Sequence, residues 1–148
     1  PDEAATGRLG AAVAPHLGPG DAVLLAGPLG AGKTSLARAI IGARLAAEGR
    51  GEEVPSPSFT LVQVYETARG EIWHVDLYRL AEPDEVVELG LTEAFGAVIS
   101  LVEWPERLGP HLPPRHLMVA LAEKAEGRTA RIMPAGPGWE PLLRSLRA

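Results

Sequence analysis

An α/β domain built on a mixed sheet is the fold that this sequence predicts. Three observations predict it. The stretch from Asp21 to Ile41 reads as an apolar strand, a glycine loop and a helix. The run Ala97-Val98-Ile99-Ser100-Leu101-Val102 reads as a second buried strand. Two further pairs of segments alternate apolar and polar residues around short polar turns, the pattern of β-hairpins. Strand–loop–helix units favour parallel pairing, and hairpins impose antiparallel pairing, so the sheet is expected to be mixed.

The loop of the first unit is Gly27-Pro28-Leu29-Gly30-Ala31-Gly32-Lys33-Thr34, which matches G-x-x-x-x-G-K-[ST], the P-loop pattern. Ala22-Val23-Leu24-Leu25-Ala26 precedes it as a strand, and Ser35 to Ile41 continues it as a helix. A chance glycine turn would not need both neighbours. Glycines let the backbone wrap closely around phosphate oxygens, where a Cβ would collide. The N–H groups of Leu29, Gly30, Ala31, Gly32, Lys33, Thr34 and Ser35 then point at the anion. Lys33 adds a mobile positive charge, and Thr34 offers a hydroxyl to Mg²⁺.

The other elements follow in order. Asp2 to Leu17 is expected to be one helix, stopped by Gly18-Pro19-Gly20. The P-loop helix runs to about Glu48, and a polar loop follows. Pro55 and Pro57 keep Val54 to Thr60 extended. Leu61 to Glu66 and Ile72 to Leu77 form the first hairpin, turning at Ala68-Arg69-Gly70. Glu82 to Leu89 and Thr92 to Phe95 read as short helices. After the strand that ends at Glu103-Trp104, Pro105 breaks the run. Arg115 to Ala122 and Arg128 to Met133 form the second hairpin, and Trp139 to Arg147 is a helix. No repeat or linker divides the 148 residues, so a single domain is expected.

Composition narrows the function. The net charge of −5 argues against a broad electrostatic grip on nucleic acid. Any link to RNA is expected to run through a protein partner. Cysteine is absent, which excludes disulfides and thiolate metal sites and suits a reducing cytoplasm. No run reaches the length of a membrane span, and the start does not resemble a signal peptide. Asn is absent and Gln occurs once, which suits heat adaptation or a GC-rich genome equally.

A P-loop needs a carboxylate at a neighbouring strand end to hold Mg²⁺ or its water. Two candidates stand out. Glu103 follows the most apolar run in the chain, and Asp76 lies in Trp73-His74-Val75-Asp76-Leu77-Tyr78-Arg79. His74, Asp76 and Tyr78 are expected to share one strand face. The structural alternatives are a turn-capping or Arg79-paired Asp76 and a solvated Glu103. Ser56, Ser58 and Thr60 either form a switch-like segment with hydroxyls for Mg²⁺ or the γ-phosphate, or an ordinary turn. Trp104 either stacks on a base or packs at the core's rim. His16, His111 and His116 have no partner at metal-ligand spacing, and His74 with Asp76 offers too few ligands for structural zinc.

Taken together, the P-loop, Ser56-Pro57-Ser58-Phe59-Thr60-Leu61-Val62, His74-Val75-Asp76-Leu77-Tyr78-Arg79-Leu80 and Leu101-Val102-Glu103-Trp104-Pro105-Glu106 resemble one family in kind, order and spacing. It is the TsaE family, also called YjeE, the small bacterial ATPases of tRNA threonylcarbamoyladenosine biosynthesis. The P-loop is common to many proteins, whereas the two later segments are far more specific. The resemblance implies a P-loop NTPase-like three-layer α/β sandwich that binds ATP and Mg²⁺ and hydrolyses ATP slowly. It implies support of a complex of TsaB and TsaD that modifies adenosine 37 of tRNA, with tRNA met only through that complex. It assigns Mg²⁺ to Thr34 and Glu103, hydrolysis to Asp76 and a switch role to Thr60. Glu3 and Arg128 also fall in segments that resemble family stretches near the nucleotide. Ser58 stands where Thr is common, and it keeps the hydroxyl.

Three other readings compete. A small-molecule or nucleoside kinase would use Arg107, Arg115, Arg128 and Arg131 as phosphate clamps, but little chain is left for an acceptor pocket and lid. A GTP switch normally reads guanine with Asn-Lys-x-Asp, which a chain without Asn cannot contain. A nucleotide-ordered scaffold would bind without turnover.

Overall fold

The computed structural model describes residues 3–28, 30–50, 62–124 and 127–147, with the side chains of residues 3–4, 123–124, 127–128 and 147 left aside. A six-stranded sheet has the order β2-β3-β4-β1-β5-β6. Its strands are β1 (Ala22–Ala26), β2 (Val62–Thr67), β3 (Gly70–Asp76), β4 (Ile99–Glu103), β5 (His116–Lys124) and β6 (Gly127–Ala135). Strands β3, β4, β1 and β5 run parallel, and the two edge strands pair antiparallel. The mixed sheet expected from the two hairpins is therefore present. The central strands β1 and β4 are almost wholly buried, as an uninterrupted apolar run demands when both faces are covered.

Alternation along the strands gives each face its own core. Val23, Leu25, Ile72, Leu101 and Val119 meet helices α1 (Glu3–Val13) and α2 (Lys33–Ala46), joined by Leu142 of α5 (Glu140–Arg147). Leu24, Val75 and Val102 turn the other way, toward Val86 of α3 (Glu85–Glu88), Leu91 of α4 (Leu91–Ala94) and Leu108. Sheet and two helical layers make the three-layer sandwich.

Several boundaries differ from the sequence reading. The first helix is not continuous to Leu17. It ends at Val13, and Ala14–His16 tighten into a 3₁₀ turn. Pro15 has no N–H to continue the α-helical ladder. Arg44 reaches across from α2 and donates to the carbonyls of Ala14 (2.8 Å) and Leu17 (2.6 Å), which satisfies the freed acceptors. Gly10 permits the close α1–α2 crossing, since a Cβ there would stand 2.6 Å from Ala39 Cβ. Of the stretch Glu82 to Leu89, only Glu85–Glu88 is α-helical. Pro105 ends the strand, as expected, but Pro105–His111 then form a 3₁₀ segment that the sequence reading left out.

The strand directions decide where a site can lie. The P-loop leaves the C-terminal end of β1. In register beside that end, Leu25 pairs with Glu103 and Glu103 with Asp76. Three chemically active segments thus converge on the carboxyl edge of a parallel sheet, the usual location for ligands in open α/β folds.

Candidate functional site

The loop's backbone is shaped by its glycines. Gly27 has φ +142° and Gly32, the N-cap of α2, has φ +103°. A Cβ on Gly27 would lie 2.4 Å from the carbonyl oxygen of Leu121. The first turn of α2 has neither an acidic residue nor a side-chain cap. Its first N–H groups therefore have neither an intrahelical nor a side-chain-cap partner, which suits an anion.

Lys33 is buried at the foot of this loop, 5% exposed. Its Nζ donates to the carbonyls of Gly27 (2.6 Å) and Pro28 (2.8 Å) and lies 4.0 Å from the centre of the Trp104 ring. Burial pulls the Lys33 pKa down, while the carboxylates of Glu103, Glu106 and Asp76 act the other way.

The acids take up distinct positions. Glu103 is not a solvated strand end, for it is only 2% exposed. Its Oε1 accepts the Thr34 hydroxyl at 2.6 Å, and its Oε2 meets His74 Nε2 at 2.7 Å. Asp76 stands beside it on β3, half-buried, with Oδ1 accepting the Tyr78 N–H at 3.0 Å. The turn-capping alternative for Asp76 is thus realised, and it leaves the carboxylate at the site's edge. Burial pushes the Asp76 carboxyl up from its ordinary pKa, the Tyr78 N–H opposes this, and neighbouring Glu103 adds to the rise.

Tyr78 does not share the face of His74 and Asp76. β3 ends at Asp76, Leu77 turns into the second core, and Tyr78 emerges to lean on Trp104 with ring centroids 5.0 Å apart. Trp104 is the one described non-glycine residue with positive φ, at 60°. The left-handed turn aims its ring over Lys33. A side chain in that conformation is strained, and glycine is not. Trp104→Gly is therefore expected to be about 1 kcal/mol more stable than Trp104→Ala in urea unfolding. An alanine variant equal to or better than glycine would show that the turn carries no strain.

On the other side of the loop lies a mostly apolar cavity of about 200 Å³. Thr6 and Leu9 of α1, Ala31 and Gly32 of the loop, and Leu121 and Ala130 of the second hairpin line it. Trp104 is not among its lining residues, so the structure puts that ring beside Lys33 and not against this cavity.

Lys33, Thr34, Asp76, Glu103 and Trp104 are thus brought together around the P-loop, with Gly30, Ala31, Gly32 and Ser35 in the same loop and helix start. Leu29 and the segment Ser56 to Thr60 lie outside the described residues, as do the side chains of Glu3 and Arg128. Among the clamp candidates, Arg115 pairs with Asp21 at the opposite edge of the sheet and packs 4.1 Å over Trp139. Arg107 donates to the Leu80 carbonyl. His111 pairs with Asp84 and His116 with the Pro113 carbonyl. Sequence reasoning missed His74 as part of the site. The signal was there: a polar residue at a strand position whose neighbour on the same face, Ile72, is core.

A family model described as threonylcarbamoyl adenosine biosynthesis protein TsaE matches residues 1–132. The chain belongs to the TsaE family. Among its relatives, the tRNA threonylcarbamoyladenosine biosynthesis protein TsaE of Rickettsia felis is 42% identical over 120 residues, covering 81% of this chain and 68% of the relative. The protein of the same name from Nostoc is 38% identical over 143 residues, covering 90% and 82%. The crystal structure of Bacillus subtilus YdiB superposes with a TM-score of 0.81 at 27% identity, covering 99% of this chain and 90% of that one. The mixed-sheet α/β architecture is common to both. No described helix is long and apolar enough to cross a membrane.

Proposed function

We propose that this member of the TsaE family serves tRNA threonylcarbamoyladenosine biosynthesis as a Mg²⁺-dependent ATPase. The carrying observation is the convergence of P-loop, Thr34, Glu103 and Asp76 at one sheet edge. The donor set fits the ligand. A loop with Gly30 and Gly32 at positive φ and an uncapped helix start suit phosphates. The Thr34 hydroxyl and the Glu103 carboxylate, both oxygen donors, suit Mg²⁺, which keeps several waters and shares phosphate oxygens. The apolar cavity beside Gly32 suits the adenine ring.

Bound Mg²⁺ supplies neutralisation of charge on the β- and γ-phosphates. The chain's own groups do the rest. Thr34 gives its hydroxyl hydrogen to Glu103, which leaves its oxygen lone pairs for the ion. Lys33 compensates phosphate charge in a site shielded from water. Asp76, with its raised proton affinity, accepts hydrogen from a water aligned on the γ-phosphorus. That water's oxygen bonds to phosphorus as the bond to the β-phosphate oxygen breaks, giving ADP and phosphate. TsaB and TsaD in the cytoplasm are the partners this reading names, with tRNA reached through them. The kinase reading loses ground because Arg115 lies at the wrong edge of the sheet and Arg107 is committed to Leu80.

Two variants separate the roles of the acids. Glu103→Gln is expected to raise the Mg²⁺ concentration for half-maximal ATP binding by about tenfold. Asp76→Asn is expected to slow hydrolysis about 10²-fold or more with little change in that midpoint. Mg²⁺ titrations of binding and turnover test both, and identical Mg²⁺ dependence would reject the assignment.

Asp76→Asn also has a stability signature. The folded state raises the carboxyl's pKa, chiefly by burial, so ionising it works against folding. Wild type keeps the full stability of the neutral carboxyl below the unfolded pKa and loses it as pH rises through the folded one. Asparagine does not ionise. The variant's advantage is therefore absent near pH ~3 and complete near pH ~8, above the ordinary carboxylate range. Urea midpoints at both ends check this, and an advantage that shrinks with rising pH would contradict the sign.

A further inference from the structure

We infer that His74 is a positioning residue for the magnesium site: held in the core, it fixes the Glu103 carboxylate that presents Thr34, without itself touching ion or nucleotide. The inference rests on the Mg²⁺-nucleotide reading above.

The geometry is a three-element relay. Thr34 at the start of α2 donates to Glu103 Oε1 (2.6 Å), and Glu103 Oε2 on β4 meets His74 Nε2 on β3 (2.7 Å). Register explains the reach. His74 pairs with Leu101, so Glu103, two residues on and on the same face, is its diagonal neighbour. His74 is fully buried. Both carboxylate oxygens are therefore engaged, one on each side, and the carboxyl plane has little freedom to turn.

The imidazole is costly where it stands. Ile72 and Leu101 on the same face are core residues, and an apolar side chain would fit the pattern. His74 Nδ1 is buried and has no hydrogen-bond partner among the described residues. A buried polar atom left unpartnered works against stability. The carboxylate only accepts, so Nε2 carries the hydrogen that joins the two side chains. Packing alone does not account for this arrangement; aiming Glu103 does. Groups that orient a metal-site ligand from behind commonly govern metal affinity.

The test uses the full chain, a fluorescent non-hydrolysable ATP analogue and MgCl₂, with wild type, His74→Leu and His74→Gln. Glutamine keeps a donor near the Nε2 position, and leucine keeps only the bulk. His74→Leu is expected to need about 10- to 100-fold more Mg²⁺ for half-maximal analogue binding. Its affinity measured in EDTA stays near wild type. His74→Gln is expected to recover the midpoint to within about threefold. A leucine variant with the wild-type midpoint, or a glutamine variant as weak as leucine, overturns the inference. Histidine ¹⁵N spectra of wild type give a readout that needs no variant to fold: the His74 hydrogen is expected on Nε2, slow to exchange. A hydrogen on Nδ1 alone overturns the inference too. Wild type whose analogue binding ignores Mg²⁺ removes the magnesium reading itself, and the positioning role with it. That outcome is distinct from a His74 failure with a Mg²⁺-responsive wild type.

Discussion

Replacing Lys33 with alanine is expected to lower ATP turnover by about 10²-fold or more and to weaken nucleotide binding by about tenfold. The ammonium is buried between loop carbonyls, an indole face and three nearby carboxylates, so water screens it poorly. A charge in such a place acts strongly on phosphate oxygens, whose charge is redistributed as the terminal phosphoryl leaves. The side chain is more deeply embedded than a loop lysine in solvent, so the substitution also affects the fold. It removes two hydrogen bonds to the loop but also relieves the burial of a charge. The net loss of stability is expected to be about 1 kcal/mol or less. Stopped-time phosphate release and urea unfolding on the same preparation separate the two effects. Turnover within about threefold of wild type would end the assignment of this loop to phosphate chemistry.

The parts of this architecture that were legible in the sequence rest on local pattern. The apolar run before Gly27 and the helix formers after Thr34 place the loop between β1 and α2 without any tertiary information. The alternation in Leu61 to Glu66 and Ile72 to Leu77 around Ala68-Arg69-Gly70 gives a hairpin, and hence a mixed sheet. Glu103 and Asp76 were legible as strand-end acids. That they stand side by side depends on β3 pairing with β4, a long-range choice that no local pattern encodes. The same choice brings His74 to Glu103, which is why the sequence tied the histidine to Asp76 on its own strand and not to Glu103. The 3₁₀ segment after Trp104 was hidden because Pro105 signals only where a strand stops. Tyr78 left the predicted face because β3 ends at Asp76, before the chain reaches it, and Leu77 finds a place in the second core. Arg44 looked like one more helix former. Its value as a cap for Ala14 and Leu17 exists only once α1 and α2 are packed together.

Gly27→Ala is expected to be strongly destabilising, costing about 3 to 5 kcal/mol. Two independent effects add. The φ of +142° is one that an L side chain adopts only under strain. The new Cβ would also stand 2.4 Å from the Leu121 carbonyl oxygen and 3.3 Å from Ala31 Cβ. The first contact is with backbone, which cannot rotate away. β5 is held to β1 through Leu25–Val119 and Ala26–Ala120, so relief must come from parting those strands or moving the loop. Either movement disturbs the Gly27 carbonyl that anchors Lys33, and nucleotide affinity is expected to fall together with stability. For a chain of this size the melting point should drop by about 10 °C. Gly42→Ala supplies the control. That glycine lies within α2, and nothing stands within 4 Å of its would-be Cβ. Alanine there should stabilise the helix by about 1 kcal/mol. If Gly27→Ala instead costs less than about 1 kcal/mol, the tight passage between the loop and β5 does not govern this site.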